Sequence, residues 1–214
     1  MKKIIVFVVL IISVLSFNKK QESVSKNWIN LFDGKSLTGW KVGKNAETFS
    51  VDSGMIVVHG KTAHLFYDGD VKAHDFKNFE FVADVKTMPG ANSGIYFHTA
   101  FQDGGWPEKG YEVQVNNSHT DWRRTGSLYG IMDVKEQFIP DNEWFTEYIK
   151  VIGKRVIIKL NDKIVVDYTE PDNVKTERGA DSLRVISRGT FALQGHDPKS
   201  IVYFKNIKVK PLAE

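Results

Sequence analysis

The chain has 214 residues, no cysteine, and 29 basic against 26 acidic side chains, a formal charge of +3. Without cysteine, disulfides, thiolate metal sites and lipid attachment to an N-terminal cysteine are all excluded. The near-balanced charges are dispersed along the chain, which excludes the basic stripe that a nucleic-acid partner calls for, and the lone pair Arg123-Arg124 reads as part of a solvated loop.

The first segment reads as a targeting signal. Lys2 and Lys3 precede an apolar run from Ile4 to Ile12, extended through Val14, Leu15 and Phe17, which is too short to span a bilayer comfortably. Residues 1–17 are expected to form a secretory signal peptide cut near Ser16, with an uncleaved anchor as the alternative. Removing it takes Lys2 and Lys3 from the 29 basic residues and nothing from the 26 acidic ones, leaving a formal charge near +1. Residues 18–26 form a short tether, and residues 27–214 are long enough to bury one core as a single domain. The mature protein is expected to be secreted or periplasmic, without stable membrane insertion once the signal is cut.

Within that domain the hydrophobic period is two almost throughout. Predicted strands begin with Thr48–Val51 and Met55–His59, separated by the turn Asp52-Ser53-Gly54, followed by Ala63–Tyr67 and Phe79–Lys86. Gly94–Thr99 lies in NSGIYFHT, where Ile95 and Phe97 take one face and Gly94, Tyr96 and His98 the other, with Asn92 just before the strand. A glycine-rich loop, QDGGWPEKG, carries Trp106 into the next strand. That strand, Tyr111–Val115 in GYEVQVN, sets Tyr111, Val113 and Val115 against Glu112, Gln114 and Asn116, a face suited to holding a hydroxyl-rich ligand. Trp122 and Tyr129 follow as aromatics able to stack on a pyranose or cap a cleft. Ser127–Ile131, Phe145–Ile152, and a hairpin of Arg155–Leu160 and Lys163–Tyr168 around Asn161-Asp162 come next. Thr190–Gln194, in TFALQGH, pairs Phe191 and Leu193 as core and leaves Ala192, Gln194 and His196 opposite, and Ile201–Lys210 closes the chain. About a dozen short strands and no long helix define an all-β fold of two antiparallel sheets packed face to face, a jelly-roll β-sandwich.

NWINLFDGKSLTGW (Asn27 to Trp40), NSGIYFH (Asn92 to His98), GYEVQV (Gly110 to Val115), GSLYG (Gly126 to Gly130), the EW at Glu143-Trp144, FALQGH and FKNIKVKPL occur in this order across the domain. In this combination the chain resembles the 3-keto-disaccharide hydrolase domain family. The resemblance implies a concanavalin-like jelly roll and action on 3-keto-glycosides of an oligosaccharide or glycoside substrate. Many members carry Arg where this sequence has His98.

A ketone at C3 acidifies the C2 hydrogen, so one base, donors for an enolate oxygen and an acid for the leaving oxygen suffice. Glu112 is the candidate base, or the ligand of a catalytic cation, with His98 or His196 as proton-transfer partner. Asn92, Tyr96, Gln114, Trp122, Tyr129 and Gln194 are the candidate substrate-binding residues. No metal is assigned, although Glu112, His98 and His196 with water would make a divalent-cation site.

Two other readings stay open: a noncatalytic carbohydrate-binding module, and an ordinary glycosidase. A retaining glycosidase needs two carboxyl groups about 5 Å apart. The same-face positions after Glu112 are Gln114 and Asn116, so a second acid would have to come from a loop, at Asp121 or Asp133, or from another strand, at Glu80 or Asp84.

Overall fold

The computed structural model describes residues 27–174 and 183–214, and the predicted signal peptide and tether lie outside the described residues. The described strands, in chain order, are β1 (Ile29–Asn30), β2 (Trp40–Val42), β3 (Phe49–Asp52), β4 (Met55–Val58), β5 (Ala63–Tyr67), β6 (Phe79–Thr87) and β7 (Ser93–Thr99). They continue with β8 (Tyr111–Val115), β9 (Phe145–Ile152), β10 (Arg155–Leu160), β11 (Lys163–Thr169), β12 (Thr190–Gly195) and β13 (Val202–Pro211). One sheet runs β11-β10-β9-β6-β13-β4-β3 with β1 also on β13, and the other runs β2-β5-β12-β7-β8, every pairing being antiparallel. This is the jelly-roll sandwich expected from the strand pattern. Among the described residues no helix is long and apolar enough to cross a membrane.

The core lies between the sheets and is built from aromatic rings. Phe191 of the smaller sheet sits 4.7 Å from Phe81 and 4.9 Å from Phe79 of the larger one, and 4.8 Å from Phe76. Burying each such ring contributes about 1.5–3 kcal/mol, so this cluster fixes how the sheets are stacked.

The two sheets differ in what their outer faces carry. β6 and β9 alternate buried and partly exposed residues, the pattern of a sheet with one wet face. In β5, β7, β8 and β12 every residue is buried. Leu65, Ile95, Val113 and Leu193 face the core, while the other face carries His64, Tyr96, Glu112, Gln114 and Gln194, all nearly inaccessible. A buried polar face is the informative exception to ordinary sorting.

A strap covers part of that face. Residues 100–110, joining β7 to β8, cross to the far edge, where Lys44 N–H donates to Asp103 O at 2.8 Å. At Gly43 a Cβ would lie 2.1 Å from that same carbonyl, so only glycine admits the strap there. Phe101 packs edge-on against Phe66, and Trp106 against His64.

Three sequence expectations change. Ser127–Ile131 is not a strand; it bonds the open edge of β8 through Gln114 N–H to Ser127 O and Tyr129 N–H to Glu112 O, interrupted by turns. β1 and β2 were not predicted, because two or three residues are too few to show alternation. Glu80 and Asp84 lie on β6 of the other sheet, bonded to Lys210 and Thr146, and supply no second acid to the polar face.

Candidate active site

The polar face closes around a cavity of about 150 Å³, far above the roughly 10–15 Å³ that one water requires. Asn92, Tyr96, Glu112, Gln114, Gln194 and His196 line it together with Tyr129, all of them anticipated from the sequence. The ladder registers explain the convergence: Tyr96 lies opposite Glu112, Gly94 opposite Gln114, and Ala192 opposite Tyr96.

Glu112 is at the centre. Tyr96 Oη donates to its Oε2 at 2.8 Å, and Gln194 Nε2 donates to its Oε1 at 2.7 Å and to Tyr96 Oη at 3.1 Å. Burial raises the carboxyl above its ordinary value, against the opposing pull of the Tyr96 and Gln194 hydrogen bonds and the charges of Arg184 and His196. Gln114 Nε2 donates to Asn92 Oδ1 at 2.8 Å. The side-chain oxygens of Gln114 and Gln194 are buried with no protein partner, an arrangement natural to a site that takes a hydroxyl-bearing ligand.

His196 occupies one end of the cavity. Its Nδ1 donates to Asp197 Oδ2 at 2.8 Å, which orients the ring. Burial would raise the Asp197 carboxyl, but hydrogen bonds from His196, Ser200 and the Lys199 N–H outweigh it and bring the group down to about 2.

Two predicted site residues are elsewhere. His98 is fully buried, edge-on to Phe79 at 5.6 Å, with Nε2 donating to Lys77 O at 2.8 Å and Nδ1 accepting from Ser187 N–H at 3.1 Å. The cause is a β-bulge. Thr190 pairs with Thr99 and Ala192 with Tyr96, so Phe97 and His98 together oppose Phe191, and His98 has a φ of 56°. The extra residue breaks the alternation that put His98 on the polar face. Burial lowers its imidazole to about 4, so it stays neutral and structural at neutral pH. Trp122 also lies outside the cavity lining, exposed and stacked by the Arg123 guanidinium at 4.8 Å, because the loop turns the preceding Asp121 inward instead. Asn116, third in the polar ladder, donates to Asp121 O and Arg123 O and holds that loop.

Asp121, Arg184, Trp106 and Pro107 complete the lining. Arg184 Nη2 donates to Tyr129 O at 2.7 Å, which fixes a cation near Glu112. Nothing in the local sequence around Arg184 alternates, so no pattern could have placed it. The predicted cation set of Glu112, His98 and His196 is not assembled, since His98 is in the core. Among the described residues, His119, His196 and Asp197 instead bring ligand atoms within 4.8 Å of one another.

The fold and the site define an all-β jelly-roll sandwich protein with a buried polar cavity on its smaller sheet. The profile of the 3-keto-alpha-glucoside-1,2-lyase-like domain matches residues 27–210, and the chain belongs to that family. It is similar to a 3-keto-disaccharide hydrolase of Bacteroides thetaiotaomicron, 28% identical over an alignment that covers 86% of this chain and 78% of the relative. A crystal structure from Parabacteroides distasonis, provisionally designated a glycosyl hydrolase, superposes with a TM-score of 0.72 at 26% identity, over 87% of this chain and 94% of that one. SCLam, a non-specific endo-beta-1,3(4)-glucanase, shares the fold at a TM-score of 0.54 and 10% identity, over 87% and 92% of the two chains.

Proposed function

We propose that this protein cleaves the glycosidic bond of 3-keto-glycosides by elimination, with Glu112 as the base. The observation that carries this reading is the Glu112 carboxylate, buried at the cavity wall between Tyr96 and Gln194 and raised above its ordinary value by burial. A base whose value lies nearer the working pH takes a carbon-bound proton more readily.

Glu112 removes the C2 proton, and the electron pair moves into an enolate whose negative oxygen is the former C3 carbonyl. Arg184 and the neighbouring amides lower the cost of that charge. The enolate then collapses, restoring the C3 carbonyl, forming the C1–C2 double bond and breaking the bond from C1 to the leaving oxygen. His196, oriented by Asp197, supplies the proton that oxygen takes. Addition of water across the new double bond completes net hydrolysis. A divalent cation held by His119, His196 and Asp197 would take the place of proton donation by His196, polarising the leaving sugar oxygen instead. Metal analysis and activity after chelation test for it. The N-terminal apolar run would direct this activity to a secreted or periplasmic location.

The deciding experiment compares a 3-keto-glycoside with its unoxidised parent in deuterium oxide. Turnover of the keto compound alone, with solvent deuterium entering at C2 and both lost in Glu112→Gln, is expected. Asp121 also reaches the cavity, so equal turnover of the parent, abolished by Asp121→Asn, would replace elimination with an ordinary two-carboxylate hydrolysis.

A further inference from the structure

A second cavity, about 300 Å³ against 150 Å³ for the first, opens on the same face of the smaller sheet. Thr99 lines it, three residues along β7 from Tyr96 but two register positions away across the bulge, so the two lie about 7 Å apart by strand rise. The strap lies between them: Trp106 and Pro107 wall the first cavity, while Phe101 and Lys109 wall the second.

Its lining combines an apolar wall with charges of both signs. Phe101 is 40% exposed, held edge-on to Phe66 at 5.5 Å, with Lys41 Nζ 3.9 Å from its ring centre. Asp75 pairs with Arg188 at 2.7 Å, Asp68 lies 3.8 Å from His74, and Lys109 Nζ donates to Arg188 O at 2.7 Å. Asp68 and Asp75 offer acceptors and Lys109, whose ammonium bonds only a backbone carbonyl among the described residues, offers a donor. A ring whose hydroxyls both donate and accept, with an apolar face to lay on Phe101, uses all of these at once. The Thr99 hydroxyl beneath is buried with no partner.

The far wall is strained. Lys72, Ala73 and His74 have φ of 53°, 49° and 47°, three successive left-handed residues, none of them glycine. Such a run is sterically unfavourable and persists only where the surroundings over-determine it, as they do in ligand clamps. Here it carries His74 and Asp75 to the cavity.

We infer that this cavity is a second carbohydrate-binding site, one that takes an unmodified sugar ring and performs no chemistry. It does not depend on the elimination proposed for Glu112. The test is amide NMR of the Glu112→Gln protein titrated with cellobiose. Perturbations at Phe101, His74 and Lys109 are expected, with affinity there falling at least tenfold in Phe101→Ala and in the cavity-filling Ala100→Leu. Shifts confined to the residues around Glu112, or a second set unchanged in both variants, would overturn the proposal. The second set of shifts in Glu112→Gln, together with no turnover of any keto-glycoside by the unsubstituted protein, would refute the catalytic reading and support this one.

Discussion

Gly94 faces Gln114 across the β7–β8 ladder, and a Cβ built there would lie 2.4 Å from Glu112 Oε1, 3.0 Å from its Cγ and 3.1 Å from its Cδ. All three nearest atoms belong to Glu112. Ordinary contact begins near 3.4 Å, so in Gly94→Ala the carboxylate must retreat by roughly 1 Å. It cannot do so freely, because Tyr96 and Gln194 hold both of its oxygens. A misplacement of about 1 Å costs on the order of 100-fold in rate, or about 2.7 kcal/mol of transition-state stabilisation. Overpacking costs about 1–3 kcal/mol of stability, a fall in Tm of roughly 2–4 °C per kcal/mol for a domain of this size. The assay is kcat/KM for aglycone release from a 3-keto-glycoside, with Tm measured in parallel. A double-mutant cycle separates placement from general strain. The Glu112→Asp carboxylate is one methylene shorter and already withdrawn, so Gly94→Ala should cost almost nothing on that background. An equal rate penalty on both backgrounds, or full activity in Gly94→Ala alone, would refute the argument.

Two further outcomes concern the core. Glu147 of β9 is fully buried, both its oxygens lack partners, and burial raises its carboxyl well above the ordinary value. The folded state therefore holds a proton that the unfolded state releases above its ordinary value, so this residue destabilises the fold increasingly as pH rises. Glu147→Met should stabilise by about 1–3 kcal/mol, more at pH 8 than at pH 5, and a lower Tm at pH 8 would exclude this account. His98 is lowered by burial from 6.5 to about 4, so between those values the unfolded chain binds the additional proton and the fold loses about 3 kcal/mol as pH falls. Urea titrations should show His98→Phe with a shallower loss across that window, and an unchanged slope would place the acid sensitivity elsewhere.

The polar ladder was legible because period two is a local property of an unbroken strand: Glu112 and Gln114 could be assigned to one face from GYEVQVN alone. His98 was misassigned because a bulge is a property of the pair of strands, visible only when Phe191 is set opposite two residues. Asn116 was lost for a similar reason, since it lies one residue past the end of β8 and turns to the loop carbonyls. Arg184 and Asp121 reach the cavity from irregular segments, whose course depends on tertiary contacts rather than on any repeat in the sequence. The core was easier, because Phe79, Phe81 and Phe191 sit at alternating positions that only a sandwich interior could accept.

The bulge at Phe97–His98 also bears on how this gene can change. Tyr96 and Thr99, three positions apart, serve one side of the sheet only because an extra residue lies between them. Loss of the single codon for His98 would put the start of the strap one residue out of phase and send it towards the core, whereas replacing the imidazole with another ring leaves the residue count intact. Point substitution at this position therefore keeps the phase of the sheet, and in-frame deletion breaks it.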